Sequence, residues 1–433
     1  MRNNHSKTDH KHNGAGKHSG NGSTLWLPGK GNNGKAGPVL ITGGAGFIGT
    51  NLAHRFLSRK QPVLLYDNLS RPGVEQNLAW LRKKHGELLQ IEVADVRDER
   101  KLASAVKRAS KVFHFAAQVA VTTSLVDPIE DFEINARGTL NLLEAIRGMD
   151  VPPPLVFTST NKVYGDLQDV KLEVRGGRYE PSDPSLRHHG FSEQRPLNFH
   201  SPYGCSKGAA CQYVLDYART FHIPAVVFRM SCIYGWHQFG NEDQGWVAHF
   251  LLRALEKRPI TIFGDGRQVR DILFAEDLVN AFLQAMERID AIAGEAYNMG
   301  GGPDNTISLL ELLDIMAELR GEKPEVVFDD WRPADQQYYV SDYRKFHAAT
   351  GWKPQTSAKE GIRSVYEWLR ENRMVDPSRI VRVGPLMAKR NGHPTGNGRC
   401  EKSSGTKRRI AKPMSSSNGA ALKRPEHKLA KVG

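Results

Sequence analysis

Cysteine is scarce in this sequence of 433 residues. The four that occur, Cys205, Cys211, Cys232 and Cys400, form no C-x-x-C pair and have no metal-ligand spacing with histidine, which argues against a disulfide framework and against a zinc site. Long apolar runs are also missing. Nothing near the N-terminus is apolar enough for a signal peptide, and no run of about 20 apolar residues exists to span a bilayer. The expected location is the cytoplasm, with no membrane insertion. No internal repeat is visible, which excludes solenoids and propellers.

Both ends lack apolar residues. Residues 1–36 hold Asn, His, Gly, Lys and Ser around an isolated Leu25-Trp26-Leu27, and residues 379–433 carry Lys407-Arg408-Arg409, Ser415-Ser416-Ser417 and Lys423-Arg424 without periodicity. Such segments cannot bury enough surface to offset the entropy of ordering, so both are expected to be disordered tails. The tails also carry the charge. They take twenty of the 60 Lys and Arg but three of the 47 Asp and Glu, leaving 40 basic against 44 acidic residues in between. The net charge of +13 is therefore a weak argument for nucleic-acid binding. Nonspecific tail contact with nucleic acid or acidic lipid is conceivable on charge alone, and a solvated tail is the simpler expectation.

From Pro38 onward, short apolar runs alternate with helical patterns, as in a parallel sheet covered on both faces. The strands read from the sequence are 39–42, 62–66, 89–93, 112–116, 155–158 and 225–229, with helices at 47–59, 129–147 and 203–221. Beyond Arg229 the alternation loosens. Short strands near 260–263, 269–273, 297–299 and 326–328 mix with helices at 276–289, 308–320 and 357–372. The expectation is an α/β fold: a doubly wound parallel sheet over residues 37–230, then a smaller mixed lobe over residues 231–378.

The first strand runs into Thr42-Gly43-Gly44-Ala45-Gly46-Phe47-Ile48-Gly49. Glycines at 43, 46 and 49 suit a tight turn, close approach of a pyrophosphate and close packing of helix on strand, the Rossmann-type dinucleotide fingerprint. The pyrophosphate would meet the free N–H groups of the helix opening near Phe47 and Ile48. The second strand ends at Asp67, where a carboxylate can accept from the adenosine ribose and repel a 2′-phosphate, favouring NAD over NADP. Arg71, four residues on, tempers that preference. Asp95, after the third strand, is placed either to reach the adenine amino group or to serve as a turn or capping residue.

Tyr203 and Lys207 stand at i and i+4 in Ser-Pro-Tyr-Gly-Cys-Ser-Lys, hence on one helix face. The lysine charge, with a positive nicotinamide, is expected to draw the phenol down from about 10 toward the working range. Thr160, at the carboxyl edge of the fifth strand, would point its hydroxyl into the ligand crevice and orient the reacting hydroxyl.

Together these residues resemble the extended short-chain dehydrogenases over roughly residues 38–372. Five segments, 66–71, 118–124, 159–166, 199–208 and 243–246, narrow the resemblance to the CDP-paratose 2-epimerases, also called CDP-tyvelose epimerases. The resemblance implies a tightly held NAD, a CDP-sugar substrate, inversion at sugar C2 and a homo-oligomer formed through helices 129–147 and 203–221. It makes Tyr203 the base, Lys207 the partner of the nicotinamide ribose and Thr160 the sugar anchor. It adds Asn68, Ser70, Val96, Ala116, Ala117, Gln118 and Asn135 as cofactor contacts, and Thr123, Asn161, Gln244, Trp246 and Asp335 as substrate contacts. Arg270 and Arg332 are guanidinium forks suited to the substrate diphosphate, or else partners in salt bridges.

Sugar-nucleotide 4,6-dehydratases are similar but carry Asp-Glu after the threonine, where this chain has Asn161-Lys162; a UDP-sugar 4-epimerase would need the same Thr, Tyr and Lys and stays open. An NAD-binding scaffold without turnover is a third reading, which the Thr-Tyr-Lys set argues against. Cys211 stands where the resemblance leads one to expect an acidic residue and Trp236-His237 where it leads one to expect a smaller one, both near the crevice.

Overall fold

The computed structural model describes residues 37–372. The expected tails, and residues 373–378 of the expected second lobe, lie outside the described residues. Seven parallel strands form the central sheet. In chain order they include β1 (Val39–Thr42), β2 (Val63–Asp67), β3 (Leu89–Val93), β4 (Lys111–His114) and β5 (Leu155–Thr160), followed by Ala225–Met230 and Ala296–Met299. Across the sheet the order is Ala296–Met299, Ala225–Met230, β5, β4, β1, β2, β3.

A parallel sheet buries both faces, which is why its strands read as near-continuous apolar runs. Alternate side chains serve opposite layers. Ile41, Leu65, Phe113, Val156 and Phe228 pack with Leu52 and Phe56 of α1 (Phe47–Ser58) and with Phe282 of the helix Ala275–Glu287. Leu40, Leu64, Val112, Leu155 and Val227 pack on the other face with Leu102, Leu143 and Val214 from the helices Glu99–Arg108, Gly138–Arg147 and Ser201–Phe221. Each such side chain contributes about 1.5–3 kcal/mol by leaving water. The doubly wound α/β fold read from the sequence is the fold observed.

Several details differ from the sequence reading. β4 ends at His114, because residues 115–117 leave the ladder to line the crevice, and β5 continues to Thr160. The helix expected over 129–147 is present without interruption from Pro128 to Arg147, with one irregular stretch inside it. Pro128–Phe132 leads into a π-turn at Glu133–Arg137 and then into Gly138–Arg147. The helices Val74–His85, Glu99–Arg108, Trp246–Leu255 and Arg344–Thr350 were not expected, nor was the hairpin Leu172–Arg175/Arg178–Pro181. Helix Glu99–Arg108 buries only Leu102, Ala105 and Val106, a stripe too narrow to stand out, and Asp98 caps it by accepting from Lys101 N–H.

Beyond Met230, Val269–Phe274 pairs in parallel with Cys232–Tyr234 and Tyr338–Tyr339 and antiparallel with Thr306–Ser308, while Ile260–Phe263 pairs with Val326–Asp329. Leu251, Ile262, Ile272, Leu312 and Ile362 form the apolar cluster between these strands and their helices. The strand near 297–299, read with this group, instead joins the central sheet beside Ala225–Met230, with all four residues buried. Among the described residues no helix is long and apolar enough to cross a membrane.

Candidate active site

At the carboxyl edge of the sheet opens a cleft of about 800 Å³, where ligands of open α/β sheets bind. One wall is the turn after β1. Gly43 has φ +66°, and a Cβ there would stand 2.6 Å from Ala116 N; a Cβ at Gly49 would meet Gly43 O at 2.5 Å. Gly46 is different. Its backbone is ordinary (φ −67°), and an added Cβ would meet Gly43 O at 3.1 Å and no other protein atom. Its missing side chain therefore leaves room for something outside the protein. Gly46 also caps α1 without a side-chain hydrogen bond, so the N–H groups of Phe47 and Ile48 face the cleft without the acceptor that a cap would supply. A polyanion of pyrophosphate shape fits this cradle.

Asp67, at the end of β2, accepts from Ala45 N–H (3.0 Å) and Leu69 N–H (2.8 Å) and so ties the glycine turn to the 68–71 loop; burial raises its carboxyl above the usual range. Asn68 donates to Asp95 Oδ2 at 2.8 Å and accepts from Ser70 N–H. Asp95 is gripped by both arms of Arg97, at 2.9 Å each, and Arg97 N–H donates to the same carboxylate. Arg97 first, with Asn68 helping, holds the Asp95 carboxyl down at about 2. The turn role that the sequence left open for Asp95 is what these contacts show, on a residue that still lines the cleft. Ser70, Arg71, Val96, Ala116 and Ala117 line it as well. Arg71 lies within electrostatic reach of both Asp67 and Tyr203.

Three residues expected at this site lie off its wall. Gln118 and Asn135 turn inward, each donating to the buried Asp131 carboxylate. Thr123 is exposed on the short helix Val121–Val126, whose adjacent side chains diverge by about 100°. Its neighbour Thr122 faces the cleft instead and donates to Asp243 Oδ1 at 2.8 Å. Cys211 and Trp236 are also away from the cleft wall, unlike His237. Cys211 is fully buried beside Arg229, and Trp236 donates to Ser364.

At the centre stand Thr160, Tyr203 and Lys207. Pro202 opens the helix Ser201–Phe221, which carries the tyrosine and the lysine one turn apart. Tyr203 is 9% and Lys207 4% exposed. The Thr160 hydroxyl sits beside the Tyr203 phenol, accepts from Lys162 N–H (3.2 Å) and lies 3.3 Å from Asn161 Oδ1. The expected lowering of the phenol by Lys207 is not observed. Burial pushes Tyr203 up to about 12, with the Asp131 charge adding to the rise and the neighbouring Thr160 hydroxyl and the Arg71 charge opposing it. The lysine is engaged elsewhere: its ammonium donates to Thr158 O at 2.8 Å and lies 4.4 Å from the Phe157 ring centre, and burial draws it down to about 8.

The opposite wall is made of paired charges. Asn161 donates to Gln336 Oε1 (3.0 Å), and Lys162 donates to Ala334 O (3.1 Å) and lies 3.6 Å from Asp335. Arg270, 8% exposed, spends its donors on Asp335 (2.9 Å), Gln336 O and Val269 O. Burial would raise the Asp335 carboxyl, but Arg270 and then Lys162 prevail and hold it below the usual range. Arg332 donates to Glu242 O (2.7 Å), lies 3.6 Å from Asp243 and stacks 3.8 Å from the Phe263 ring centre. Both arginines thus face the cleft as members of ion pairs. Gln244 lies in the turn that follows Asp243, and Trp246 donates to Cys232 Sγ at 3.5 Å. Asp131, Ser206, Thr122, Asp243 and Gln336 were missed by sequence reasoning; of these, Thr122, Ser206 and Asp243 lay within motifs already singled out, and Gln336 beside Asp335.

A family model described as the NAD dependent epimerase/dehydratase family matches residues 39–300. The chain belongs to the NAD-dependent epimerase/dehydratase family. It is an enzyme of the epimerase type and NAD is its cofactor, which agrees with the cradle at Gly46. This epimerase/dehydratase is 42% identical over 337 residues to a CDP-paratose 2-epimerase of Salmonella typhi, covering 76% of the chain and 98% of that protein. It is 30% identical over 334 residues to a putative UDP-glucose 4-epimerase of Methanocaldococcus jannaschii, covering 77% and 99%. Among solved structures it is similar to a Thermus thermophilus UDP-glucose 4-epimerase in complex with NAD, at 32% identity and a TM-score of 0.64, covering 77% of the chain and 99% of that one.

Proposed function

We propose that this protein is a nucleotide-sugar epimerase that inverts C2 of a CDP-linked sugar, CDP-paratose. The observation that carries the reading is Thr160 beside the Tyr203 phenol with Lys207 one turn on, facing a wall whose Asn161 and Lys162 are committed to Gln336 and Asp335. The 42% identity to a CDP-paratose 2-epimerase across almost its whole length supports CDP and C2 in particular.

NAD, when bound, supplies the acceptor for a hydride and gives it back, so no net redox change results. Asp67 would meet the adenosine ribose, Phe47 and Ile48 N–H the pyrophosphate, and Lys207 the nicotinamide ribose. Tyr203 takes the proton of the C2 hydroxyl and later returns it, while Thr160, beside the phenol, orients that hydroxyl. Because burial holds the phenol up, the positive charges of Arg71 and Lys207 have to favour its ionised form. Arg332 and Arg270 would exchange carboxylate partners for the substrate diphosphate, to which their planar forks are matched. Where a dehydratase would carry Asp-Glu after the threonine, Asn161 and Lys162 are committed to Gln336 and Asp335, and Asp335 is a weak base between two cations.

A homo-oligomer is supported by apolar side chains exposed on or beside the expected helices: Val126 is 85% and Ile129 74% exposed, and Leu125, Phe132 and Tyr213 are about half exposed.

The test is NMR of the sugar ring protons after incubation with CDP-paratose, with UDP-glucose in parallel. Inversion at C2 of the CDP-sugar without net NADH is the expected result. Change only at C4 of the UDP-sugar would overturn it in favour of a 4-epimerase.

A further inference from the structure

Beneath Tyr203 and Lys207 lies a carboxylate that the reaction scheme leaves unused. Asp131, in the helix Pro128–Phe132, is fully buried and accepts from Ser206 Oγ, from Gln118 Nε2 at 3.0 Å and from Asn135 Nδ2 at 3.2 Å. Asn135 also donates to Ser206 Oγ, at 3.1 Å, so the serine hydroxyl is free to give its one hydrogen to Asp131. All three partners donate, and nothing asks Asp131 to do so. That donor set fits a carboxylate anion; burial raises the carboxyl above its usual range, and the Ser206 hydrogen bond, the Lys207 charge and the Gln118 hydrogen bond oppose that rise.

Ser206 stands between Tyr203 and Lys207 on their helix. The Lys207 ammonium is buried with Thr158 O and the Phe157 ring as its neighbours, neither of which carries a formal charge. A buried cation of this kind is costly without a counter-charge. The titratable groups facing it are Asp131, His114 on β4, and Tyr203 and Cys211 on its own helix. His114, between Thr42 and Thr139, is drawn down to about 3 by burial and by Lys207 itself, hence neutral. Burial pushes both the Cys211 thiol and the Tyr203 phenol up, so both are neutral at pH 7. Among these groups Asp131 alone is an anion.

We infer that Asp131 is the buried counter-ion of Lys207, a positioning residue that keeps the lysine charged and, through Ser206, holds the helix turn bearing Tyr203 and Lys207. The inference rests on the reading of those two residues as the working pair of the epimerase. The electrostatics agree: after Cys211, Asp131 opposes the lowering of Lys207 by burial, and it adds to the raising of Tyr203. Removing its charge must therefore lower both.

The test compares Asp131→Asn with Ser206→Ala in the full-length, NAD-loaded enzyme. With Asp131→Asn both ionisations in the pH profile of kcat/KM are expected to move to lower pH by about one pH unit, whereas Ser206→Ala, which keeps the charge, moves neither. A second measurement needs no substrate. Asp131→Asn should lower the Tm of the otherwise native enzyme and leave that of Lys207→Met unchanged or raised, because no ammonium remains to be neutralised. Equal losses of Tm in the two backgrounds, or an unmoved pH profile, overturns the inference. If Asp131→Asn alone does not fold, the double variant is expected to, and failure of both also overturns it. A wrong epimerase assignment would show separately, as absent turnover with the Tm coupling intact.

Discussion

On the glycine-turn side of the cleft, the groups facing a ligand are backbone N–H donors and strand-end carboxylates drawn from residues 43–97; on the arginine side, Asn161, Lys162, Arg270 and Arg332 come from segments far apart and already hold partners. The first wall is preformed and its donors are open, so binding there displaces water. The second is a set of ion pairs, so an incoming diphosphate has to compete with Asp335 and Asp243. One cleft thus combines a site suited to holding a cofactor through many turnovers with one suited to releasing product.

The largest expected effect lies where the walls meet. Tyr203→Phe should lower kcat by about 10²- to 10⁴-fold, the range for loss of a general acid–base group, with the bound NAD measured after denaturation unchanged. Retained turnover would remove the phenol from the chemistry. Next is Asp335→Asn, which leaves Lys162 and Arg270 facing each other without their shared anion. Breaking a mostly buried pair in this way costs about 3 kcal/mol, read as a fall in Tm, together with a raised KM for the nucleotide sugar and an unchanged NAD content. If NAD is lost in proportion, the two walls are one unit and the contrast fails.

The smallest effect belongs to Arg97→Ala, which frees Asp95 on the glycine-turn wall. Asp95 is depressed to about 2 in the folded protein, so its contribution is present above the ordinary Asp range near 4 and is lost as pH falls toward 2. With Arg97 40% exposed at its side chain, solvent screening limits the gain to about 0.5–1 kcal/mol. Denaturant melts of the two proteins should therefore differ at pH 7 and converge near pH 2; a constant gap would mean that Arg97 acts by packing.

What was legible in the sequence divides along the same line. The glycine turn, Asp67 and the Tyr203–Lys207 spacing announce themselves because their geometry is set within a few residues, and the parallel strands because burial on both faces writes an apolar run. The pairing of Asn161 with Gln336 and of Lys162 with Asp335 joins residues more than 170 positions apart, and no local pattern records it. Thr122 was mistaken for Thr123 because facing depends on the phase of a six-residue helix. Gln118 and Asn135 were expected at the cofactor because the resemblance carries them there, yet an anion inside claimed them. The phenol was expected low because its lysine neighbour was visible in the sequence and the burial of both was not.

The strand Ala296–Met299 carries a consequence for biosynthesis. During translation, β1 to β5 and Ala225–Met230 emerge well before the strand that becomes the outermost one on that side. Until then Ala225–Met230 is an open edge with unpaired N–H and C=O groups, the kind of surface that recruits foreign strands. The residues made in that interval include Asp243 and Arg270, so the nascent enzyme cannot cover this edge before those parts of the arginine wall have been synthesised, while Arg332 and Asp335 follow it.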